Sequence, residues 1–319
     1  MPEILPTYPR AERTRLSGPL SADELRAAAA KAAPMLDSLA TLPFPEPAAS
    51  PPPQALRIGA WNIQQCHYAE ESGALLARAG LDIALLSELD VGLARTGQRN
   101  TVAALATAQG HGAVYAAEFL ELQGAAGDEA GWHCNAVTAR AAPLAIRLIR
   151  LPEEGDWLIN PRRGQRRFGG RMALAARFAV AGGTLVACAV HLESDTDGAG
   201  RARQMAALLD ELDAFADGAP VLLGGDLNAG ARRDDFDPFS EPFFDLAARR
   251  GFSWKAFNTG MPTSRVSRNV NAVQQNRARF DWFLGRDLTG EAASNIPAVD
   301  ADGAALSDHD VITVVVRPE

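Results

Sequence analysis

The sequence predicts an α/β (α+β) fold in which several strands form mixed β-sheets and helices lie between them. Two observations lead to this class. Short apolar runs with the length of buried strands recur from residue 55 onward, and segments that suit helices separate some of them. In addition, Gly182-Gly183 divides one long apolar stretch into two strands around a turn.

The elements follow in chain order. The apolar runs predict strands over residues 56–63, 82–88, 136–138, 173–180, 184–191, 221–224, 279–284 and 311–316. The intervening patterns predict helices over residues 72–79, 100–109, 202–216 and 242–250. Neither an internal repeat nor a GxxxxGK[ST] phosphate loop is present.

Residues 1–54 differ from the remainder, residues 55–319, and we expect them to form a separate extension. Ser21 and Glu24 have the spacing of a capping box, which predicts a helix running to about Ala40. The prolines between residues 43 and 53 predict a stiff linker. The extension is then a surface helix on a tether, or else a lid, a plug or an arm that docks a partner.

Composition limits the function. The net charge of −8 and the pI of about 5.3 argue against nucleic-acid binding over the whole surface, although a local basic groove remains compatible. The three cysteines, Cys66, Cys134 and Cys188, are widely spaced and contain no CxxC pair, which favours a reduced compartment. Without an apolar signal core or a transmembrane segment, a cytoplasmic location is expected, and no protein partner is predicted.

Polar side chains interrupt, follow or directly precede six of the apolar runs. These residues are Asn62, Glu88, His191, Asp226 with Asn228, Asp281, and the tetrad Ser307-Asp308-His309-Asp310. Open sheets place ligand sites at strand ends. A carboxylate in such a position needs a cation or a hydrogen-bonding partner.

Each of these residues also has an ordinary explanation when it is considered alone. Asp226 and Asn228 suit a turn, Glu88 and Asn62 suit caps, and His191 suits a hydrogen-bonded core position. As a set, the carboxylates and amides supply oxygen ligands. Oxygen ligands favour a hard cation such as Mg²⁺ or Mn²⁺ over zinc.

The ordered set resembles the endonuclease/exonuclease/phosphatase superfamily of divalent-metal phosphoesterases. The segments that carry the resemblance are Trp61-Asn62-Ile63, Leu86-Ser87-Glu88, His191-Leu192, Gly225-Asp226-Leu227-Asn228, Phe280-Asp281-Trp282-Phe283 and Ser307-Asp308-His309. The resemblance spans residues 61–309. It implies a DNase I-like fold, a four-layer α/β/β/α sandwich with the site at one edge of two packed sheets.

The resemblance also implies a metal site. Glu88 would bind the catalytic Mg²⁺ or Mn²⁺ with assistance from Asn62, and Asp308 would complete this site or a second one. Gln64 departs from the pattern, because several nuclease members carry an acid there. This departure leaves one or two metal ions as alternatives.

The remaining catalytic residues receive roles from the same resemblance. Asp226 would orient or deprotonate the attacking water, and Asn228 would hold that water and a phosphoryl oxygen. His191 and His309 would donate to phosphoryl oxygens, and Asp281 would fix the ring of His309. The resemblance does not determine which residue is the general base.

The substrate is less well defined. Asn135 and Arg171 resemble secondary positions of the family and are candidates to bind a substrate phosphate, while Tyr115 is a loose candidate for the central tyrosine of abasic-site nucleases. Two arginine groups predict a phosphate-anchoring rim or, alternatively, a solvated face; they comprise Arg162, Arg163, Arg166, Arg167 and Arg171, and Arg265, Arg268, Arg277 and Arg279. Aromatic side chains suspected to lie in loops are Trp132, Trp157, Phe168 and Trp254.

The sequence therefore predicts a metal-dependent phosphoester hydrolase, with a phosphodiesterase of nuclease type as the first hypothesis. A phosphatase or phospholipase-C-like hydrolase of a small phosphorylated metabolite or lipid head group is the alternative within enzymes. A catalytically silent binding module is the alternative of another class.

Overall fold

The structure, a computed structural model, describes residues 4–46, 51–122, 127–161, 166–230, 237–268 and 278–319. Its helices are α1 (Arg10–Leu16), α2 (Ala22–Leu36), α3 (Ala69–Arg78), α4 (Thr101–Gln109), α5 (Gly198–Ala216) and α6 (Pro242–Arg249). Its strands are β1 (Leu39–Leu42), β2 (Leu56–Asn62), β3 (Ile83–Val91), β4 (Gly112–Glu121), β5 (Trp132–Ala139), β6 (Ala145–Arg150), β7 (Arg167–Gly169), β8 (Met172–Val180), β9 (Gly183–His191), β10 (Val221–Asp226), β11 (Asp281–Arg286), β12 (Leu288–Ile296) and β13 (Val311–Pro318).

The strands form two mixed sheets. The large sheet has the order β1-β4-β5-β3-β2-β13-β12, with β7 paired to β4, and the small sheet has the order β11-β10-β9-β8-β6. Among the strands of the described residues, only β2–β3 and β9–β10 pair in parallel. Within the described residues, apolar side chains fill three layers: between the sheets, under the helices of the large sheet, and under α5 and α6. The architecture is the four-layer α/β/β/α sandwich that was predicted.

Local signals in the sequence fix several helix ends. Ser21 accepts from the backbone N–H of Glu24, and the Glu24 carboxylate accepts from the backbone N–H of Ser21, so the predicted capping box is formed. Asn100 caps α4, which ends at Gly110 in a left-handed conformation. Asp197 caps α5 by accepting from the N–H of Gly200.

The N-terminal segment packs onto the large sheet. Helix α2 ends at Leu36, whereas the sequence predicted a helix to about Ala40; residues 39–42 instead form β1, which pairs with β4. Leu16 and Leu25 are buried in the same core as the strands. The predicted proline-rich linker includes residues 47–50, which lie outside the described residues, and the domain boundary at residue 54 stays a prediction.

Within the part of the chain that the structure describes, none of the helices combines the length and the hydropathy needed to cross a membrane. The two sheets pack so that β2 and β3 of the large sheet lie against β9 and β10 of the small sheet. Because β2 and β3 run parallel to each other, as do β9 and β10, each pair brings its carboxyl ends to one edge of its sheet.

Candidate active site

The strand ends and adjoining loops enclose a cavity of about 490 Å³, here called the catalytic cavity. Eight of the ten predicted site residues line it: Asn62, Glu88, Arg171, His191, Asp226, Asn228, Asp308 and His309. A ninth, Asp281, lies behind His309 and contacts its ring. Residues that are distant in sequence therefore meet in one place.

Strand register aligns three of these side chains. Asp226 of β10 pairs with His191 of β9 on one side and with Asp281 of β11 on the other. Gly225 allows β10 to approach β9 closely, because its φ is 148° and a Cβ there would collide with the carbonyl oxygen of Val190. The glycine before Asp226 is thus part of the construction of the site.

His309 is paired with a buried carboxylate. Its Nδ1 atom lies 2.7 Å from Oδ2 of Asp281, and its Nε2 atom lies 3.8 Å from Oδ2 of Asp226. Burial favours the neutral ring, but the two carboxylates outweigh burial and raise the pKa of His309 well above its ordinary value. Burial raises the pKa of Asp226 to about 6, while His309 opposes that shift and Asp281 adds to it.

His191 has the opposite protonation state. Nη1 of Arg171 lies 2.8 Å from Nδ1 and 3.0 Å from Nε2 of His191. A guanidinium group only donates, so the ring must offer an unprotonated nitrogen. Burial lowers the pKa of His191 well below its ordinary value, and the charge of Arg171 adds to the effect. With Nε2 of His191 3.7 Å from its Oδ2 atom, Asp226 lies between a neutral and a charged imidazole.

Glu88 is held by two amides. It occupies a bulge in β3, where the register to β5 shifts, and its φ is 61°. Nδ2 of Asn62 donates to Oε1 of Glu88 at 2.9 Å and to Oδ2 of Asp226 at 3.0 Å. Nε2 of Gln65 donates to the other carboxylate oxygen, Oε2, at 2.9 Å. The two hydrogen bonds of Asn62 thus connect the carboxylate of Glu88 in the large sheet with that of Asp226 in the small sheet.

The tetrad before β13 is fixed to the end of β2. Oγ of Ser307 donates to the carbonyl oxygen of Asn62 at 2.7 Å and accepts from the N–H of His309 at 3.1 Å. Asp308 and His309 line the catalytic cavity. Asp310, to which the sequence assigned no role, is absent from that wall.

Oxygen donors dominate the open side of the cavity. The carboxylates of Glu88, Asp226 and Asp308 line it, as do amide side chains. Among the described residues, Asp226, Asp281 and His309 also bring one donor atom each within 4.8 Å of one another, but the Asp281–His309 hydrogen bond already uses two of those atoms. Oxygen donors of this kind suit a hard divalent cation, and the assignment of Glu88 and Asp308 as its ligands stays a prediction.

The two remaining asparagines differ in position. Asn228 has a φ of 48°; its N–H donates to Oδ1 of Asp226 at 2.9 Å, and its Nδ2 donates to the carbonyl oxygen of Leu192 at 3.0 Å. Asn135 is fully buried outside the cavity wall, with Nδ2 3.4 Å from the carbonyl oxygen of Met172. The predicted contact between Asn135 and a substrate phosphate stays a prediction.

Three residues that support the site, Glu118, Glu193 and Gln65, were not predicted from the sequence. Glu118 and Glu193 bind Arg171, with distances of 3.1 Å to Nη1 and 3.4 Å to Nε. Burial opposes the charged form of Arg171, but these carboxylates outweigh it and raise its pKa. A buried acid within apolar β4 was a signal that could have revealed Glu118. No sequence feature identified Gln65, because the position of its side chain depends on a left-handed backbone conformation.

Three of the described arginines bond to other groups of the protein and not along a phosphate-anchoring rim. Arg166 donates to the carbonyl oxygens of Leu16 and Gly18, and two others form ion pairs, Arg265 with Asp310 and Arg268 with Asp300. Arg162, Arg163 and Arg277 lie outside the described residues. Trp132, Trp157 and Phe168, suspected as loop residues for base stacking, are buried. Tyr115 is buried away from the cavity, where its hydroxyl accepts from Asn100.

Known structures share this architecture. An endonuclease/exonuclease/phosphatase from Beutenbergia cavernae matches with a TM-score of 0.61 and 19% identity, covering 83% of this chain and 72% of its own. The catalytic domain of human Nocturnin with bound sulfate anion matches with a TM-score of 0.58 and 16% identity, covering 85% and 97%. TDP2 from D. rerio, complexed with single strand DNA product, matches with a TM-score of 0.56 and 19% identity, covering 82% and 99%.

At these identities the structural matches show the fold alone. A search of curated proteins found no relative. The sequence model of the endonuclease/exonuclease/phosphatase family, however, matches residues 59–309, which is well over half of the chain and includes every predicted site residue. The chain therefore belongs to the endonuclease/exonuclease/phosphatase family, whose members are metal-dependent phosphoester hydrolases.

Proposed function

We propose that the chain is a phosphodiesterase of nuclease type that hydrolyses its substrate by in-line attack of water, with Mg²⁺ or Mn²⁺ bound. The proposal is carried by one observation. Asp226 lies within 4 Å of two buried imidazoles in opposite protonation states, neutral His191 and charged His309, in a cavity that also contains Glu88. This arrangement provides a base and two kinds of donor around one reacting centre.

Asp226 would accept the proton of the attacking water. With its pKa raised to about 6, its carboxylate is ionised at neutral pH and is a stronger base than an ordinary aspartate. The N–H of Asn228 fixes Oδ1 of Asp226, and the cavity-facing side chain of Asn228 would hold the same water. Base and water are thereby oriented together.

His309 and His191 would stabilise the charge that develops on the phosphoryl oxygens. Asp281 keeps His309 protonated, so its Nε2 can donate without a prior proton transfer. His191 is neutral and would donate through one N–H, while Arg171 donates to the ring and holds it in place. Both donors are buried, which strengthens their interaction with a developing negative charge.

Glu88 and Asp308 would hold the cation. When bound, the cation supplies positive charge to the phosphoryl group and the leaving oxygen. Asn62 and Gln65 hold both oxygens of Glu88 in place, so little reorganisation of that carboxylate is needed.

The charge of the cavity favours a diester over a monoester. Three carboxylates, Glu88, Asp226 and Asp308, face the cations Arg171 and His309. Glu118 already balances Arg171 and Asp281 already balances His309, so a divalent cation would reduce the negative charge of the three carboxylates without cancelling it. A monoanionic diester then meets less repulsion than the dianion of a monoester.

The test compares hydrolysis of bis(p-nitrophenyl) phosphate, p-nitrophenyl phosphate and a labelled single-stranded oligonucleotide, each with Mg²⁺ and with Mn²⁺. We expect both diester substrates to be hydrolysed faster than the monoester. His309→Ala should reduce kcat at least about 100-fold, because general acids and charged donors contribute at that level. His111→Ala, which removes another buried histidine outside the cavity wall, is the matched control. Wild-type protein that hydrolyses no phosphoester would indicate a silent binding module instead.

The described arginines favour a second candidate, a phosphatase or phospholipase-C-like hydrolase of a small phosphorylated metabolite or lipid head group. Arg166, Arg265 and Arg268 bond within the protein, and the net charge is −8. A nucleic-acid backbone needs several available cations, and its binding weakens with salt. DNA binding measured at several salt concentrations separates the candidates, because absence of binding at low salt would remove the nuclease hypothesis.

A further inference from the structure

A second cavity, here called the arginine pocket, lies next to the catalytic cavity and has a volume of about 230 Å³. The residues that bear on its chemistry are Ala29, Arg150, Glu153, Arg167, Gly170 and Arg171. Ala29 belongs to α2, so the N-terminal segment forms part of the wall. Arg171 lines both cavities and is the wall that they share.

Arg167 is the unusual residue of this pocket. Its guanidinium carbon lies 3.5 Å from the ring centroid of Trp157 and 4.0 Å from that of Phe119. The residue is only 8% exposed, and within the described residues its Nε and Nη2 have no hydrogen-bond acceptor. The nearest carboxylate oxygen in an ion pair, on Glu193, is 3.7 Å from Nη2. The rings of Trp157 and Phe119 hold the Arg167 guanidinium group in place, and its Nε and Nη2 atoms are left without hydrogen bonds.

Arg167 is the least compensated cation of this pocket. Arg171 lies 3.1 Å from Glu118 and 3.4 Å from Glu193, and Arg150 lies 3.6 Å from Asp37. The ion pair of Arg167 with Glu193 spans 3.7 Å, and Nη2 forms no hydrogen bond within the described residues. Burial, together with repulsion from Arg171, lowers the pKa of Arg167 to about 10. A buried cation with unused donors binds an anion favourably, because the anion supplies both the charge and the acceptors that are missing.

We propose that the arginine pocket binds a tetrahedral oxyanion of the phosphate class on the edge of Arg167. The pocket has room for a phosphate group, since each water molecule takes up only about 30 Å³. Arg150 contributes charge, but its Nη1 and Nη2 already donate to the carbonyl oxygens of Glu118 and Ala117, so Arg167 is the principal donor. This site is separate from the chemistry proposed above and does not require it.

Calorimetric titration of metal-free protein with inorganic phosphate tests the site directly. We expect Arg167→Gln to raise the Kd of phosphate at least about tenfold, because charge-assisted hydrogen bonds contribute at that level. The control is Arg317→Gln, which removes the same charge from an exposed ion pair at the far edge of the large sheet. An unchanged Kd in Arg167→Gln would overturn the proposal. Loss of binding in His309→Ala alone would also overturn it, by assigning the phosphate to the catalytic cavity.

A second variant guards against simple misfolding of Arg167→Gln. Gly170 lines the pocket, its φ lies outside the left-handed region, and a Cβ placed on it meets no atom within 4 Å. Gly170→Glu should therefore place a carboxylate beside Arg167, raise the Tm in the absence of phosphate and abolish phosphate binding. A lower Tm together with wild-type phosphate binding would contradict the proposal.

Measurements of KM distinguish two sources of the anion, a phosphate group of the substrate and free phosphate. If the pocket holds a second phosphate of the substrate, Arg167→Gln raises KM for an oligonucleotide but leaves KM for bis(p-nitrophenyl) phosphate unchanged. If it holds free phosphate, neither KM changes while the direct titration still shows the loss. Because the titration involves no hydrolysis, phosphate binding through Arg167 in a protein without activity would refute the proposed function and leave the anion site intact.

Discussion

Replacing Asp281 by Asn isolates the electrostatic part of the Asp281–His309 pair. An asparagine keeps an acceptor for Nδ1 of His309 but removes the charge 2.7 Å from it. An opposite charge at that distance shifts a buried pKa by about 1–3 units, and the more distant Asp226, at 3.8 Å, remains. We therefore expect the pKa of His309 to fall by about 2 units, on the order of 3 kcal/mol.

The direction of the shift in the pH profile follows from the proposal that His309 acts in its protonated form. In the wild type the raised pKa keeps His309 charged toward alkaline pH, so we expect activity to persist there. In Asp281→Asn the imidazolium loses its proton earlier, and the alkaline limb of kcat/KM should move about 2 units toward neutral pH.

The assay is the pH dependence of kcat/KM on bis(p-nitrophenyl) phosphate with Mn²⁺. Asp310→Asn serves as the control, since the Asp310 carboxylate binds Arg265 at 2.9 Å outside the catalytic cavity. That variant should lose stability and keep the pH profile. An alkaline limb at the same pH in Asp281→Asn and wild type would refute the role given to the His309 imidazolium.

Three further predictions concern the metal side and the base. Glu88→Gln should weaken Mn²⁺ binding about 100-fold by calorimetry, because it removes the charge of a ligand; unchanged affinity would exclude Glu88 as a ligand. Below pH about 6, kcat/KM should fall about tenfold per pH unit as Asp226 takes up a proton, and a flat acid limb would contradict its role as base. Gln65→Ala and Gln65→Gly should both weaken Mn²⁺ binding about tenfold, since each frees one oxygen of Glu88. The glycine variant should be about 1 kcal/mol more stable than the alanine variant, because φ at this position is 61°; equal stabilities would show that the backbone is unstrained.

Several buried strands were predicted because their apolar runs are local signals, whereas the buried strand β4 was not. The predicted strands over 173–180 and 184–191 coincide with β8 and β9 to within one residue at each end. Strand β1 was not predicted, since its four residues are held by pairing with β4 from a distant part of the chain. The overlong prediction for α2 has the same origin: alanine-rich composition continues past Leu36, and only tertiary pairing turns residues 39–42 into a strand.

The candidate site was predictable to the extent that its residues end strands. Asp226, His191 and Asp281 fall next to one another by register alone. The supporting residues Glu118 and Glu193 act through Arg171, and the sequence gives no indication of that contact. The partners of the arginine groups were unpredictable for a related reason, because a run of like charges in a sequence identifies cations but not their partners.

Backbone strain at the site explains why its finest geometry escaped the sequence. Gln64, Gln65 and Cys66 are consecutive residues with φ between 46° and 61°, and Glu88 and Asn228 have φ of 61° and 48°. A left-handed conformation costs a residue with a side chain about 1 kcal/mol, and local propensity argues against each one. All five lie at strand ends or in the bulge that present the catalytic groups, where the hydrogen bonds of Asn62, Gln65 and Asn228 hold them. Strain retained in this way indicates that the Glu88 and Asp226 carboxylates are positioned before substrate binds, at the expense of stability that the rest of the fold supplies.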